Sequence, residues 1–273
     1  AEAERLRKVW HKSASGRLRY AYAPYDVRCC SEELLIEVIG RARAAGCLLH
    51  VRAAESSTAV EGVRSQFSSD PIAHLHEVGL TGRDVVLAHC VWLTAREQKL
   101  LRESSTSVAH CPLADLRSAA GIAKIPELVA QGVRVSLGAG GAPYAGCLDL
   151  FETLRATALI HRVRATSSAL TPYQLIEMAT IRGAEALGLD QELGSLAVGK
   201  RADVVVVDLR GVHARPAGDA LTALVYACRG CDVRHVLVDG QFAVRDGVLQ
   251  TADLVAIHDE AERAATALRR RNG

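Results

Sequence analysis

The sequence predicts an α/β protein in which a parallel sheet is followed by a small antiparallel β unit. Two patterns predict this fold class. As far as about residue 190, short apolar segments alternate with longer helical ones, and buried strands separated by helices pair in parallel through right-handed crossovers. Beyond residue 190, Asp-Gly turns at 239–240 and 246–247 separate short strands, as in antiparallel hairpins. The first part is therefore expected to be a barrel or a doubly wound sheet.

The composition excludes several classes of protein. The 273 residues are 49% apolar and carry a formal charge of +2, which is typical of a globular α/β protein and not of a nucleic-acid-binding or disordered one. No apolar segment reaches the roughly 20 residues needed to span a bilayer, and the charged start "AEAERLRKVW" lacks the apolar core of a secretory signal. The eight cysteines include a single CxxC pair, Cys228 and Cys231, without the second pair of a zinc knuckle. We therefore expect a cytoplasmic protein with reduced thiols, and neither nucleic acid nor membrane as a partner.

Local patterns predict each element of the first part. One helix has Ser31 as its N-cap and Gly46 as its stop, and another begins after Thr94. Apolar runs predict strands at 17–24, 47–55, 85–93, 107–112 and 133–140, and helices are predicted at 31–46, 125–132 and about 148–187. The chain is thus expected to divide into a first unit at 1–190, a β unit at 191–251 and a C-terminal helical segment at 252–273.

Function in parallel α/β folds gathers at the carboxyl ends of the strands. Three predicted strands end on or near a reactive side chain, namely Glu55, His89 and His110. A glutamate and two histidines at one edge would suit acid–base catalysis or metal binding, whereas each histidine alone is equally compatible with a capping or packing role. The last strand ends in "LGAGG" at 137–141, which lacks both the GxGxxG spacing and the Lys-Ser/Thr ending of phosphate-binding loops.

Five segments, taken in order, resemble the second half of an amidohydrolase-superfamily enzyme. They are "HVRAAESSTAVEGV", "LAHCVWLTAREQKLL", "VAHCPLADLRSAAGIAKIPELVAQGVRVSLGAGG", "EMATIRGAEALGL" and "GSLAVGKRADVVVVD". The similar branch is that of the aminohydrolases and chlorohydrolases, which includes guanine, 8-oxoguanine and adenosyl-homocysteine deaminases and triazine hydrolases. The resemblance covers essentially the whole chain. It implies a partial (β/α)₈ barrel of the TIM type, with about strands four to eight, and a small C-terminal portion of a composite β-sandwich.

The resemblance also implies a chemistry and a role for several residues. Members of the group use one zinc or iron ion to activate a water molecule, which attacks an amidine-like or halogenated ring carbon. Glu55 matches the proton-shuttling glutamate and His89 matches the sixth-strand histidine, so both are predicted to be catalytic. His110, followed by Pro112, matches the segment after strand seven, and His110 and Arg52 are predicted to contact the substrate.

The metal-ligand positions depart from the family pattern. Arg52 stands where the fifth-strand histidine is expected, Gly140 stands where the eighth-strand aspartate is expected, and the first-strand His-x-His pair has no counterpart. Arginine stays protonated and offers only hydrogen-bond donors, so it does not ligate metals. His89 and His50 are left as weak ligand candidates, with a buried, hydrogen-bonded role favoured for His50. We therefore expect no metal cofactor in this chain alone. We expect Arg52 either to replace the metal's charge by pairing with Glu55 or to bind an anionic ligand.

Two nearby acids have simpler interpretations. Asp149 is expected at the N-terminus of a helix, and Asp115 is expected to cap a loop. The sequence thus resembles hydrolases of C–N or C–Cl bonds in purine- or triazine-like rings, but the chain is predicted to be inactive alone. The alternatives are a pseudo-enzyme that binds a small anion or pairs with an active subunit, and a damaged reading frame without a role. Because five barrel strands leave open sheet edges, a homo-oligomer or a second chain completing the barrel is expected.

Overall fold

The computed structural model describes residues 2–165, 170–216 and 218–272. Five strands form one sheet in the order β1-β2-β3-β4-β5, and every neighbouring pair is parallel. The strands are β1 (Ala21–Tyr22), β2 (Leu48–Ala53), β3 (Val85–His89), β4 (Ser107–His110) and β5 (Val135–Leu137). The predicted α/β fold class with a partial-barrel sheet is therefore confirmed.

The strands are shorter than the predicted apolar segments. The edge strand β1 pairs with β2 only through Ala21 with Leu48 and Tyr22 with Leu49. The later parts of the segments 85–93 and 133–140 leave the sheet at its carboxyl edge. These loops, rather than longer strands, carry the candidate site.

Helices connect the strands and follow the sheet. They are α1 (Glu2–Trp10), α2 (Glu32–Ala44), α3 (Ser57–Phe67), α4 (Pro71–Glu77), α5 (Ala95–Glu103), α6 (Pro112–Arg117), α7 (Ile125–Ala130), α8 (Ala142–Ala145), α9 (Leu150–Arg164), α10 (Pro172–Ala179) and α11 (Ile181–Ala186). Ser31 accepts a hydrogen bond from the backbone N–H of Leu34, and Thr94 forms a reciprocal cap with Glu97, so both predicted helix starts are confirmed.

The predicted helical region at 148–187 consists of three helices, α9 to α11, and its residues 166–169 lie outside the described residues. Asp149 caps α9, because its side chain accepts a hydrogen bond from the backbone N–H of Phe151. The expectation of a helix-terminal acid at Asp149 is therefore confirmed.

Apolar side chains from the sheet and the helices form one core. Leu49 and Leu87 on the strands are fully buried in the same cluster as Leu35, Leu101 and Leu128. Burial of each leucine contributes about 1.5–3 kcal/mol to folding. This packing holds the strands in register, and the register decides which side chains meet at the carboxyl edge.

The second sheet is antiparallel, in the order β6-β7-β8-β9. Its strands are β6 (Val204–Val207), β7 (Val233–Val238), β8 (Gln241–Arg245) and β9 (Val248–Leu249), with α12 (Ala220–Tyr226) between β6 and β7. Both predicted Asp-Gly hairpin turns are confirmed. Asp239 and Gly240 have φ of 52° and 77°, the left-handed values that a tight hairpin requires. A last helix, α13 (Leu254–Asn272), follows this sheet.

Two further features concern membrane-spanning helices and the state of the cysteine thiols. None of the described helices combines the length and the hydropathy needed to cross a bilayer. All eight cysteines have free thiols. Of the CxxC pair, Cys228 is fully buried and Cys231 is exposed, so the two thiols have different environments.

Candidate active site

The carboxyl ends of β2 to β5 surround a cavity of about 450 Å³. The parallel register brings the strand ends together, because Arg52 pairs with Ala88 and Ala53 pairs with His89. The cavity is lined by five residues that the sequence had singled out, Arg52, Glu55, His89, Gly140 and His50, and also by Tyr25, Cys111, Ala114, Ser118 and Tyr144. A larger cavity of about 580 Å³ beside Trp92 contains none of the predicted site residues. We therefore place the chemistry at the strand ends.

His89 lies between two carboxylates. Its Nδ1 is 2.7 Å from Oδ1 of Asp115, and its Nε2 is 4.0 Å from Oε1 of Glu55. Asp115 is 2% exposed, so burial raises the pKa of its carboxyl, and the hydrogen bond with His89 opposes that rise. The expectation that Asp115 caps a loop is wrong, because Asp115 lies in α6 and orients the His89 ring. A carboxylate beside Nδ1 favours the tautomer that carries its proton on that nitrogen.

The backbone at His89 is costly for a residue that is not glycine. His89 has φ of 74° and Cys90 has φ of 51°, both in the left-handed region. This conformation costs roughly 1–2 kcal/mol per residue. Such strain is concentrated at functional sites, where the surrounding structure holds it in place. Here the turn after β3 directs the imidazole into the cavity.

Arg52 and Glu55 form the predicted ion pair. One terminal nitrogen of Arg52 donates to Oε2 of Glu55, and the other donates to the Tyr25 hydroxyl at 2.9 Å. The guanidinium also lies 5.1 Å from the ring centroid of Tyr25 and 5.9 Å from that of Tyr144, within the range of cation–π attraction. Burial opposes the charge, but the Glu55 carboxylate raises the pKa of Arg52 above its ordinary value. Arg52 is therefore a permanent cation in the cavity wall.

The loop at Gly140 has no room for a carboxylate. Gly140 has φ of 72°, and a Cβ placed on it would lie 2.6 Å from Cβ of Ala114, closer than two carbon atoms can approach. The same Cβ would lie 3.8 Å from Cε1 of His89, so the position does face the centre of the site. An aspartate at this position would require Ala114 or the loop to move.

His50 lies on the inner face of the partial barrel. Along β2, the residues that alternate with His50 and Arg52 are buried, whereas His50 itself is exposed and lines the cavity. The favoured interpretation of His50 as a buried histidine is therefore wrong.

His110 lies among core residues rather than on the cavity wall. It is 1% exposed, and its Nε2 is 3.3 Å from Nε2 of His161, a fully buried residue of α9. Burial lowers the pKa of both imidazoles, to about 4 for His161. The two rings form a neutral polar pair inside the fold.

Sequence reasoning missed Tyr25 and Tyr144, and it assigned Asp115 only the role of a loop cap. Each follows the carboxyl end of a strand, Tyr25 after β1, Asp115 after β4 and Tyr144 after β5. Extending the strand-end criterion that found Glu55 a few residues into each loop would have included these positions, but it would not have paired Asp115 with His89. Cys111 also lines the cavity, but burial raises the pKa of its thiol to about 12, so it is not a thiolate nucleophile.

Comparison with known sequences identifies one family and relatives that are named as deaminases of adenosine derivatives. A model of the amidohydrolase family matches residues 1–243. The chain is 36% identical over 268 residues to 5'-deoxyadenosine deaminase of Methanosarcina acetivorans, which covers 98% of this chain and 62% of that protein. It is 37% identical over 252 residues to 5-methylthioadenosine/S-adenosylhomocysteine deaminase of Moorella thermoacetica, covering 92% and 59%. The chain thus spans about three-fifths of the length of these relatives.

Solved structures agree with this result. An adenosine deaminase from Xanthomonas campestris with bound zinc has a TM-score of 0.95 at 28% identity, covering 98% of this chain and 61% of its own. The zinc-complexed atrazine chlorohydrolase from Arthrobacter aurescens TC1 has a TM-score of 0.89 at 27% identity, covering 96% and 58%.

The donor set of this chain does not fit the zinc of these neighbours. A zinc ion takes three or four His, Cys, Asp or Glu ligands, and no such group of three occurs in the part of the chain that the structure describes. At two positions where the resemblance implies ligands, Arg52 contributes a cation and Gly140 contributes no side chain. Two like charges a few ångströms apart repel by several kcal/mol at an effective dielectric constant of about 20. The described residues of the cavity therefore supply a guanidinium but not a zinc ligand set.

Proposed function

Because the chain belongs to the amidohydrolase family, we propose that its cavity binds a small ring compound of the adenosine type without metal-dependent hydrolysis by this chain alone. The observation that carries the proposal is the Arg52–Glu55 ion pair. It holds a cation at a family metal-ligand position and leaves a cavity of about 450 Å³ open beside it.

The polar groups of the cavity suit the edge of an amidine. Such an edge presents an amino donor next to a ring nitrogen that accepts. Oε1 of Glu55 is not the oxygen bonded to Arg52, so it is available to accept from the amino group. Arg52 supplies donors for the ring nitrogen, and Tyr144, which is 54% exposed, offers a ring face for stacking. The names of the relatives, which are deaminases of adenosine derivatives, support this ligand class.

The retained acid–base groups do not replace a metal. In the family, the ion lowers the pKa of bound water toward neutrality and so generates the nucleophile. Glu55 and His89 can accept or donate protons, but with Arg52 holding Glu55 they do not generate hydroxide at neutral pH. We therefore propose binding with retained proton-handling groups and no turnover.

A small anion is the second candidate ligand. Nε of Arg52 is buried and has no hydrogen-bond partner in the described part of the chain, so a carboxylate or phosphate could accept from it. Glu55 already neutralises the guanidinium, however, and an incoming anion would have to compete with it. We therefore favour the adenosine-type ligand.

Calorimetric titration with 5'-deoxyadenosine tests this function. The purified chain is first dialysed against a buffer that contains zinc, and its metal content is then measured by elemental analysis. We expect saturable binding, less than stoichiometric zinc and no release of ammonia. Stoichiometric zinc together with ammonia release would show a hydrolase, and absence of binding would reject the proposed ligand class.

Two variants locate the binding site. Glu55→Gln should weaken binding about tenfold or more, because it removes a charged acceptor for the amino group. Glu61→Gln is the matched control, since Glu61 is an exposed residue of α3 that does not line the strand-end cavity. Titration with acetate and phosphate tests the small anion as the alternative ligand. If these anions bind and 5'-deoxyadenosine does not, the small anion replaces the adenosine-type ligand.

A further inference from the structure

The imidazole of His50 is a polar group of the strand-end cavity that the proposed function leaves unused. It lines the cavity and is exposed, and no hydrogen bond to it occurs within the described part of the chain. A neutral imidazole has one nitrogen that donates a hydrogen bond and one that accepts. His50 can therefore bind either kind of polar group on a ligand that reaches it.

The strand β2 fixes where His50 lies relative to the other polar groups. His50 and Arg52 are separated by one residue on β2, so their side chains leave the same face of the sheet, with their Cα atoms roughly 7 Å apart. Glu55 follows the end of the same strand and is bonded to Arg52 through Oε2. In chain order the cavity wall thus presents an imidazole, a guanidinium and a carboxylate.

The neighbouring strands supply only apolar side chains beside His50 and Arg52. Val86 on β3 is the register partner of His50, and Ala88 is the register partner of Arg52. Both are buried, and Ala109 on β4, the partner of Ala88, continues this apolar surface. On this part of the wall, His50 is therefore the group available to a polar ligand atom that lies beside Arg52 on the side away from Glu55.

The order of the three polar groups matches one edge of an aminated purine. On that edge the 6-amino group donates, the neighbouring N1 accepts, and carbon 2 follows on the other side of N1. When Glu55 accepts from the amino group and Arg52 donates to N1, as in the proposed function, carbon 2 is directed toward His50. Adenine carries only a hydrogen atom at carbon 2, so it leaves the imidazole without a ligand partner.

On the basis of the proposed function, we propose that His50 is a specificity-determining residue that favours purine ligands with a hydrogen-bonding group at carbon 2. An amino group at that carbon donates to the imidazole, and a carbonyl oxygen accepts from it. A net hydrogen bond between neutral groups corresponds to about three- to tenfold in affinity. The preferred ligand is thus an adenosine-type compound with a second polar substituent, beyond the amidine edge alone.

Calorimetric titration with adenosine, 2-aminoadenosine and 2-methyladenosine tests this inference. The amino and methyl groups are similar in size, so their comparison separates hydrogen bonding from contact area. We expect 2-aminoadenosine to bind about three- to tenfold more tightly than 2-methyladenosine. Equal affinities of these two, with adenosine still bound, would overturn the role of His50 and leave the proposed ligand class intact. Absence of binding by all three would reject both.

Variants of His50 assign the preference to its side chain. His50→Phe keeps a planar ring without polar atoms and should make the two dissociation constants nearly equal, whereas His50→Gln keeps a donor and an acceptor and should retain the preference. His258→Phe is the matched control, because His258 is exposed on α13 and does not line the cavity. Circular dichroism confirms that each variant is folded. A preference that survives His50→Phe would show that another group contacts carbon 2 and would overturn the assignment.

Discussion

Oδ1 of the buried Asp115 lies 2.7 Å from Nδ1 of His89, at the carboxyl end of β3. Both side chains are enclosed, so each supplies the hydrogen bond that the other could not obtain from water. The pair also holds the imidazole at a residue whose backbone is in the left-handed region. It is the part of the site whose geometry is independent of any metal.

Removal of the Asp115 carboxylate should destabilise the fold. Asp115→Ala leaves Nδ1 of His89 buried without a partner, which costs about 1.5–3 kcal/mol in the free energy of unfolding. The lower end is expected, because burial raises the pKa of Asp115 and so already penalises its charge. Urea titration measures the change. Glu37→Ala is the control: its ion pair with Arg41 on α2 is exposed and should contribute no more than about 1 kcal/mol, so an equal loss in both variants would contradict the buried role.

Replacement of Gly140 by aspartate should destabilise the fold for two separable reasons. Gly140→Asp incurs backbone strain and also forces Cβ against Ala114. Gly132→Asp incurs similar strain alone, because Gly132 has φ of 80° and no atom within 4 Å of the added Cβ. We expect the free energy of unfolding to fall by about 1 kcal/mol in Gly132→Asp and by about 1–3 kcal/mol more in Gly140→Asp. Thermal and urea unfolding measure both, and equal losses would show that the Ala114 contact is relaxed without cost.

Single reversion of Arg52 should not restore a metal site. Arg52→His supplies one ligand, but position 140 still offers none, so we expect less than stoichiometric zinc by elemental analysis. The triple variant Arg52→His, Ala114→Gly, Gly140→Asp adds ligand side chains at positions 52 and 140 and makes room for the second. With His89 these make three ligands, the minimum for a catalytic zinc. Zinc retention by the triple variant alone is the expected result. Stoichiometric zinc in the single variant would show that other groups complete the site.

The buried histidine pair should make the fold sensitive to mild acid. Burial lowers the pKa of His161 from 6.5 to about 4 and also lowers that of His110. The unfolded chain then binds more protons than the folded one below pH of about 6.5, so stability is full above that pH and falls as the pH decreases toward 4. For His161 the loss is on the order of 3 kcal/mol.

His161→Gln should reduce this pH dependence, measured as the urea midpoint at several values between pH 4.5 and 7.5. The exposed His258 on α13 provides the control, since His258→Gln should leave the slope unchanged. Identical slopes for wild type and His161→Gln would show that the pair is not the cause.

The order of elements and the strand-end residues followed from local sequence. Alternating apolar segments, the caps at Ser31 and Thr94 and the Asp-Gly turns each depend on nearby residues, so the parallel sheet and the hairpins were predicted correctly. The ion pair of Arg52 with Glu55 was one of two roles expected for Arg52, because two residues three apart at a strand end lie within reach of each other.

What local sequence did not reveal depends on residues that are distant along the chain. Asp115 is 26 residues from His89, and no spacing rule connects a helix residue after β4 with the end of β3. Likewise, His110 is turned toward His161 by the position of α9, and the exposure of His50 depends on how the other strand ends surround the cavity that it lines.

The sequence by itself determined the fold class and the family resemblance. It also placed Arg52 and Gly140, which offer no ligand side chain, at two positions where that resemblance implies metal ligands. Only the tertiary structure decided that the Gly140 loop packs too closely on Ala114 for a carboxylate. It also decided that Asp115 orients His89, and that α13 is exposed in the described part of the chain. These features depend on distances between separate elements. The packing of the core sets those distances, and local sequence does not.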